Sequence, residues 1–230
     1  MNKWNIIWDY DGTILPFMPY DSEQFFLDYL INIEKDSLPF FKRAVSRAAI
    51  FADQKQLLGH SFKKYFNWIV KDTEKSVIEK VTTSIASQIP DSHIDVFSDL
   101  YNKGFPMSII SCGTWDLCHP PLVKRKADGF FSRIVSNYFT YRGNRISGMD
   151  YHVRKGEDKI THADALGYDP VKTIVIGDGY TDLPLLDWCS FPVLIDPDGK
   201  MRKRFTGKKY NYIKSVPELP ELLSNSRLII

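Results

Sequence analysis

Two aspartates that follow an apolar run are the residues in this chain whose types and spacing are best suited to chemistry. Asp9 and Asp11 come directly after residues 4–8 and precede Gly12. Side chains alternate along a strand, so both carboxylates are expected on one side of its carboxyl end. Such a pair can bind a metal ion, or one carboxylate can attack while the other moves a proton. A solvated acidic turn explains Asp-x-Asp equally well, but the longer pattern with Gly12 and Thr13 favours chemistry.

A second acidic pair follows another apolar run, residues 173–177. Asp178 lies between Gly177 and Gly179, and Asp182 comes four positions later. The glycines allow a tight turn, and the spacing returns Asp182 to the same side. Oxygen ligands of this kind are suited to Mg²⁺. The alternative is an ordinary helix start, where aspartate is favoured by the helix dipole.

A hydroxyl and two lysines add groups that could hold a phosphate. Ser111 ends an apolar run and is followed by Cys112 and Gly113, whose backbone N–H groups could bind an anion beside the hydroxyl. Lys155 and Lys159 lie between this serine and the second acidic pair. Each residue also has an ordinary interpretation, a turn serine and solvated lysines.

These residues require a scaffold that brings strand ends together. Apolar runs that alternate with helical patterns predict an α/β fold with a doubly wound, mostly parallel sheet. Open sheets of this class bind ligands outside the carboxyl ends of their strands. Arg142-Gly143-Asn144 predicts a hairpin turn between two further strands. The predicted strands cover 4–8, 105–111, 134–139, 145–147, 173–177 and 191–195.

Residues 20–88 form a helical block that interrupts this alternation. Asp21 and Gln24 have capping-box spacing at its start, Ser61 is a candidate cap of its third helix, and no strand pattern intervenes. The expected division is a catalytic core over 1–19 and 89–230 with an all-helical cap inserted over 20–88.

Composition limits the remaining classes of function. A net charge of +2 gives no nucleic-acid signal, and no apolar run reaches membrane-spanning length. A signal peptide is not expected, because the first predicted strand begins within five residues of Met1. The three cysteines lack Cys-x-x-Cys spacing, which favours reduced thiols in a cytoplasmic protein. Cys112 is interpreted as a packing residue because no partnered base is visible.

Taken in order, the motifs resemble those of the haloacid dehalogenase superfamily, and the helical insertion resembles the cap of its phosphoserine-phosphatase-like branch. The resemblance implies that Asp9 is the nucleophile and Asp11 the general acid/base. It further implies that Asp9, Asp178 and the backbone carbonyl of Asp11 hold Mg²⁺ while Asp182 orients the metal site. The residues expected around the phosphate are Gly12, Ser111, Cys112, Gly113, Thr181 and one lysine, with Lys159 preferred over Lys155.

The same resemblance also shows departures. Thr181 stands where phosphoserine phosphatases commonly carry an asparagine that touches substrate. Their glutamate soon after the first motif is replaced here by the apolar region around Met18, and Glu23 comes too late in the sequence. Both departures argue against phosphoserine as the substrate.

The expected function is a Mg²⁺-dependent phosphomonoester hydrolase that acts on a small phosphorylated metabolite through an aspartyl-phosphate intermediate. A phosphotransferase that uses the same intermediate and a non-catalytic phosphate-binding protein are the alternatives. A dehalogenase is disfavoured, since Asp11 has no use when the leaving group is halide. No nucleic-acid or membrane partner is expected, and the sequence carries no indication of oligomeric state.

Overall fold

A mostly parallel sheet lies at the centre of the molecule. The computed structural model describes residues 4–16, 19–55 and 57–228; Phe17 and Met18, in the apolar region after the first motif, lie outside the described residues. The strands in chain order are β1 Asn5–Trp8, β2 Met107–Thr114, β3 Arg133–Arg142, β4 Arg145–Asp150, β5 Thr173–Gly177, β6 Phe191–Ile195 and β7 Asn211–Ile213.

The spatial order of the strands places the acidic motifs side by side. The order is β4-β3-β2-β1-β5-β6-β7, and all neighbours are parallel except the β3–β4 hairpin. Because β1 lies between β2 and β5, its carboxyl end is flanked by theirs. The predicted doubly wound sheet is confirmed.

Helices cover the sheet and form the insertion between β1 and β2. In the described part of the chain they are α1 Ser22–Asn32, α2 Phe40–Gln54, α3 Phe62–Val70, α4 Lys75–Ala86, α5 Asp91–Asn102, α6 Trp115–Lys124, α7 Gly156–Ala165, α8 Leu183–Trp188, α9 Lys200–Arg204 and α10 Leu219–Asn225. Among these helices, none has both the length and the apolarity needed to cross a bilayer.

The inserted helices share one apolar core with the sheet. Phe26 of α1 and Phe66 of α3 are fully buried and pack with Phe139 of β3. The link between α3 and α4 is also hydrogen-bonded to β4, since the N–H of Asp72 donates to the Ile146 carbonyl at 2.8 Å. The insertion is therefore held to the β3–β4 hairpin as well as to the ends of its own segment.

Several predicted boundaries were wrong. β2 continues to Thr114 instead of ending at Ser111, and β4 continues to Asp150 instead of ending at Ser147. Ser61 does not cap α3 through its side chain. Asp21 does cap α1 by accepting from the Gln24 N–H at 2.6 Å, but the Gln24 amide donates to Asp53 instead of completing a capping box.

Helix α6 was not predicted, because it contains Pro120 and Pro121. A proline inside a helix lacks the N–H that would bond the carbonyl four residues earlier. For Pro121 that acceptor is the carbonyl of Leu117, and the buried Tyr10 hydroxyl donates to it at 3.4 Å. A side chain from the first motif thus partly replaces the missing backbone hydrogen bond.

Candidate active site

The first acidic motif begins where β1 leaves the sheet. The N–H of Asp9 still donates to the carbonyl of Ile176 in β5 at 2.8 Å, so the backbone of this aspartate is fixed by the sheet. Gly12 then turns the chain at a φ of +79°, a conformation that favours glycine. A Cβ on Gly12 would lie 2.1 Å from Oδ2 of Asp178. The two acidic motifs are therefore in direct contact at this glycine.

A fully buried lysine joins two of the predicted carboxylates. Nζ of Lys159 lies 2.7 Å from Oδ1 of Asp9 and 2.5 Å from Oδ1 of Asp182. The side chain of Lys159 is 0% exposed, and those of Asp9 and Asp182 are 9% and 2% exposed. Burial opposes protonation of this amine, but the charges of Asp182 and Asp9 raise the pKa of Lys159 well above its ordinary value. The lysine is therefore a permanent cation between two carboxylates.

Asp182 also fixes the turn that carries Asp178. Its Oδ2 accepts from the N–H groups of Asp178 at 3.1 Å and Gly179 at 3.0 Å. Both oxygens of Asp182 are thus in use within the protein. The carboxylate of Asp178 is half-buried and accepts from the Thr13 hydroxyl at 3.4 Å, a long bond that leaves it the freer group for an external ligand.

Three carboxylates at this edge of the sheet are close enough to share a cation. Each of Asp9, Asp178 and Asp182 places one oxygen within 4.8 Å of the others. Burial, and next the charge of Asp182, raise the pKa of Asp9 to about 7 although Lys159 opposes the shift. Burial and the charges of Asp182 and Asp9 raise the pKa of Asp178 well above its ordinary value. One lysine does not compensate this group, so a divalent cation would stabilise it.

Asp11 lies at the start of the inserted helices. Its Oδ1 accepts from the Ser22 N–H at 2.7 Å, and its Oδ2 accepts from the Ser22 hydroxyl at 3.0 Å. Burial raises the pKa of Asp11 to about 6, although both hydrogen bonds from Ser22 oppose the shift. The second carboxylate of the motif is therefore poised between its two protonation states near neutral pH.

The bulged end of β2, residues 111–113, faces the two aspartates and is called the Ser111 loop below. Ser111 is 1% exposed, and its hydroxyl oxygen accepts from the Gly113 N–H at 3.0 Å. A Cβ on Gly113 would lie 2.8 Å from Oδ2 of Asp11. Cys112 lines the same cavity, and burial raises the pKa of its thiol to about 11. A protonated thiol at neutral pH agrees with the interpretation of Cys112 as a packing residue.

A cavity of about 720 Å³ opens over these groups. Thr181 and Lys155 line it as exposed residues, whereas Lys159 is fully buried against Asp9. Lys155 lies 4.0 Å from Glu157 at the opening. The remaining predicted residues on the wall are Asp9, Asp11, Ser111, Cys112, Gly113 and Asp178.

The cavity also contains residues that the sequence did not assign to the site. Glu23 of α1 is 3% exposed and forms an ion pair with Lys63 of α3, and the Thr114 hydroxyl donates to the same carboxylate at 2.7 Å. The expectation that Glu23 comes too late in the sequence to reach the site was wrong, because α1 directs its first turn back toward the end of β2. Polar residues on the buried face of the first turn of α1 were the available signal. The inserted segment also contributes Asp21, Gln24, Asp53 and Phe62 to the lining of the cavity.

A comparison with family models decides the broad identity of the chain. Residues 6–187 match the model of haloacid dehalogenase-like hydrolases. The chain belongs to this family. No match was found among curated proteins.

Several solved structures have the same fold as this chain. The chain matches a substrate-bound phosphoserine phosphatase complex with a TM-score of 0.67 and 15% identity, over 98% of this chain and 99% of the other. A phosphoserine phosphohydrolase-like protein from Francisella tularensis subsp. tularensis SCHU S4 gives 0.70 and 20%, over 96% and 99%. Cytosolic 5′-nucleotidase IIIB bound to cytidine gives 0.66 and 15%, over 97% and 87%. The prediction of a haloacid dehalogenase-type hydrolase is confirmed by the family match, and the predicted fold agrees with these structures.

The contact between the acidic motifs predicts a sharp effect of Gly12→Ala. The added Cβ would overlap the Asp178 carboxylate, so we expect Mg²⁺ affinity, measured by isothermal titration calorimetry, to fall more than tenfold. Gly167→Ala is the matched control, because Gly167 has a φ of +77° and no atom within 4 Å of an added Cβ. That variant should lose about 1–2 kcal/mol of stability from backbone strain alone and bind Mg²⁺ normally. Equal Mg²⁺ affinity in the two variants would contradict this interpretation of the Gly12 contact.

Proposed function

We propose that this enzyme is a Mg²⁺-dependent phosphomonoester hydrolase that acts on a small phosphorylated metabolite through an aspartyl-phosphate on Asp9. The observation that carries the proposal is the position of the Asp9 carboxylate. It lies between a fully buried lysine and the acidic group with Asp178, at the floor of a cavity large enough for a small metabolite.

The donor set fits magnesium. Carboxylate and carbonyl oxygens are the ligands that Mg²⁺ prefers, and the described residues bring together no histidine or cysteine cluster with ligand geometry. Asp9, Asp178 and the backbone carbonyl of Asp11 would hold the ion, while Asp182 orients Asp178 through the backbone. A carboxylate that attacks a phosphate dianion meets about 4 kcal/mol of repulsion from each negative charge near 4 Å at an effective dielectric of 20. The bound cation would supply the charge compensation that makes this approach feasible.

In the first half-reaction Asp9 acts as the nucleophile. Its carboxylate oxygen forms a bond to phosphorus while the bond from phosphorus to the leaving oxygen breaks. Lys159 and the Ser111 hydroxyl stabilise the phosphoryl oxygens in this step. Protonated Asp11 gives its proton to the leaving oxygen, so the product departs as an alcohol.

In the second half-reaction the same residues release phosphate. The Asp11 carboxylate accepts a proton from water, and the water oxygen attacks phosphorus. The bond between phosphorus and the Asp9 oxygen breaks, which regenerates the free carboxylate and releases inorganic phosphate. The raised pKa of Asp11 supports this double use, because each protonation state is accessible near neutral pH.

The inserted helices complete the site in this proposal. Residues 20–88 serve as the cap, and its wall beside Asp11 carries Asp21, Glu23, Gln24, Asp53 and Lys63. Substrate selection belongs to this wall because it faces the side from which the leaving group departs. A 720 Å³ cavity favours a metabolite over a macromolecule.

Phosphate release tests the function directly. Wild type should release inorganic phosphate from p-nitrophenyl phosphate and from a panel of phosphorylated metabolites with Mg²⁺, and release should stop in EDTA. Asp9→Asn should fold normally and lose nearly all turnover, because an amide is a poor nucleophile. Turnover within tenfold of wild type in this variant would remove Asp9 from the central role. Dependence of phosphate transfer on an added alcohol acceptor would instead identify a phosphotransferase.

The two lysines give a second test. Lys159→Met places an uncharged side chain of similar length in the buried position and removes the charge beside Asp9. We expect kcat/KM to fall about ten- to a hundredfold, which corresponds to the loss of one hydrogen bond to a charged group. Lys155→Ala is the control, because Lys155 is exposed at the opening of the cavity. Steady-state kinetics measure kcat/KM for both variants. A large loss in Lys155→Ala with none in Lys159→Met would assign the phosphate-binding role to Lys155 instead.

The contact between Ser22 and Asp11 predicts a shift in pH dependence. The Ser22 hydroxyl stabilises the carboxylate and therefore lowers the pKa of Asp11, so Ser22→Ala should raise this pKa. Protonated Asp11 then persists to higher pH, so the alkaline limb of the pH profile of kcat should shift to higher pH by about 0.5 to 1 pH unit. Ser46→Ala, which removes a buried hydroxyl bonded only to the Lys42 carbonyl among the described residues, should leave the profile unchanged. A shift in the opposite direction would contradict the assignment of Asp11 as the acid.

A further inference from the structure

A buried asparagine links the two elements that carry the phosphate-binding groups. Asn137 of β3 is 0% exposed. Its Nδ2 donates to the carbonyls of Cys112 at 2.7 Å, Gly113 at 3.2 Å and Val153 at 3.0 Å. Its Oδ1 accepts from the N–H groups of His152 and Val153, both at 2.9 Å. Every donor and acceptor of the amide is therefore used, and each bond goes to backbone outside the asparagine's own strand.

The first set of bonds compensates an irregularity at the end of β2. Ile110 pairs with Val135 and Thr114 pairs with Asn137, so three residues of β2 stand opposite one residue of β3. Bulges of this kind next to active sites re-aim side chains at the cost of ladder hydrogen bonds. Here the bulge contains residues 111–113, and the Asn137 amide takes up the carbonyls of the last two. The Ser111 loop is thus held in its irregular form by this side chain.

The second set of bonds fixes the segment that leads into α7. His152 and Val153 are bound through three backbone groups, and α7 begins at Gly156. Lys159 lies six residues after Val153, on the first turn of that helix. One rigid amide therefore spans the loop of Ser111 on one side and the approach to Lys159 on the other.

We propose that Asn137 is a positioning residue that sets the distance between the Ser111 loop and the helix that carries Lys159. The proposal rests on the proposed function, since it assigns both elements to the phosphoryl group. Asparagine is suited to this place because its Oδ1 accepts two hydrogen bonds while its Nδ2 donates to carbonyls. An aspartate of the same shape would direct a carboxylate oxygen at three carbonyl oxygens, and a leucine would leave five backbone groups without a partner.

Kinetics of Asn137→Asp test the proposal. Displacement of catalytic groups by about 1 Å costs on the order of a hundredfold in rate, so kcat/KM should fall by about that factor. The inhibition constant of inorganic phosphate should rise at least tenfold, because both of its binding elements move.

Ser136→Ala is the matched control. Ser136 is the neighbouring residue on β3, is 0% exposed, and its hydroxyl has no hydrogen-bond partner among the described residues. Its kcat/KM and phosphate inhibition should equal those of wild type. Rates are normalised to the folded fraction from circular dichroism, and Asn137→Ser serves as a second variant that leaves room for water if the aspartate does not fold.

Opposite outcomes separate a positioning role from a merely structural one. A lowered Tm with kcat/KM within threefold of wild type and unchanged phosphate inhibition would overturn the proposal. If wild type hydrolyses none of the phosphomonoesters, the proposed function is wrong, but the proposal for Asn137 can still be tested. Inorganic phosphate binding, followed by ³¹P NMR on wild type and the Asn137 variants, then still decides whether Asn137 holds the anion site.

Discussion

The buried contact between Lys159 and the carboxylates of Asp9 and Asp182 is the interaction on which the rest of the site depends. Removing these charges from water is costly, and the cost is recovered only when each charge has a close partner. Lys159 reaches both carboxylates because α7 lies very close to the turn after β5: a Cβ on Gly156 would be 2.5 Å from the Thr181 carbonyl. Helix α7 can approach this closely only with a glycine at its first position. The charge arrangement thus depends on backbone packing.

The same arrangement leaves an excess of negative charge at the site. Asp9, Asp178 and Asp182 present three carboxylates to one lysine, and the pKa values reflect this excess of negative charge: that of Asp9 is raised to about 7 and that of Asp178 well above its ordinary value. Asp182 does not relieve it, since its oxygens are committed to Lys159 and to the backbone of Asp178 and Gly179. The acids are therefore held together by the fold without full charge compensation. A divalent cation would complete the balance of charge.

The sequence predicted the parts of the site that follow from local patterns. An apolar run followed by aspartate and glycine predicts where β1 and β5 end. Because these strands are parallel neighbours, Asp9 and Asp178 then lie close together. Glu23 and Lys63 could not be assigned in this way, because they are 40 residues apart and meet only through the packing of α1 on α3. Asn137 was also missed, since its role is created by a bulge in a different strand. Helix α6 was hidden by two prolines whose effect is partly offset by a tyrosine more than a hundred residues earlier.

In the proposed mechanism the inserted helices take part in the chemistry through their contact with Asp11. Both oxygens of this carboxylate are bonded to Ser22, the first residue of α1, whereas the backbone of Asp9 is bonded to the sheet. One turn further along α1, Phe26 packs with Phe66 of α3 and with Phe139 of β3. Because α1 is fixed in the shared core at Phe26, its first turn is held firmly against the end of β2. The hydrogen bonds that lower the pKa of Asp11 therefore come from the insertion, while the backbone of Asp9 is held by the sheet. In the proposed mechanism, the two carboxylates of one short motif owe their different roles to two different parts of the fold.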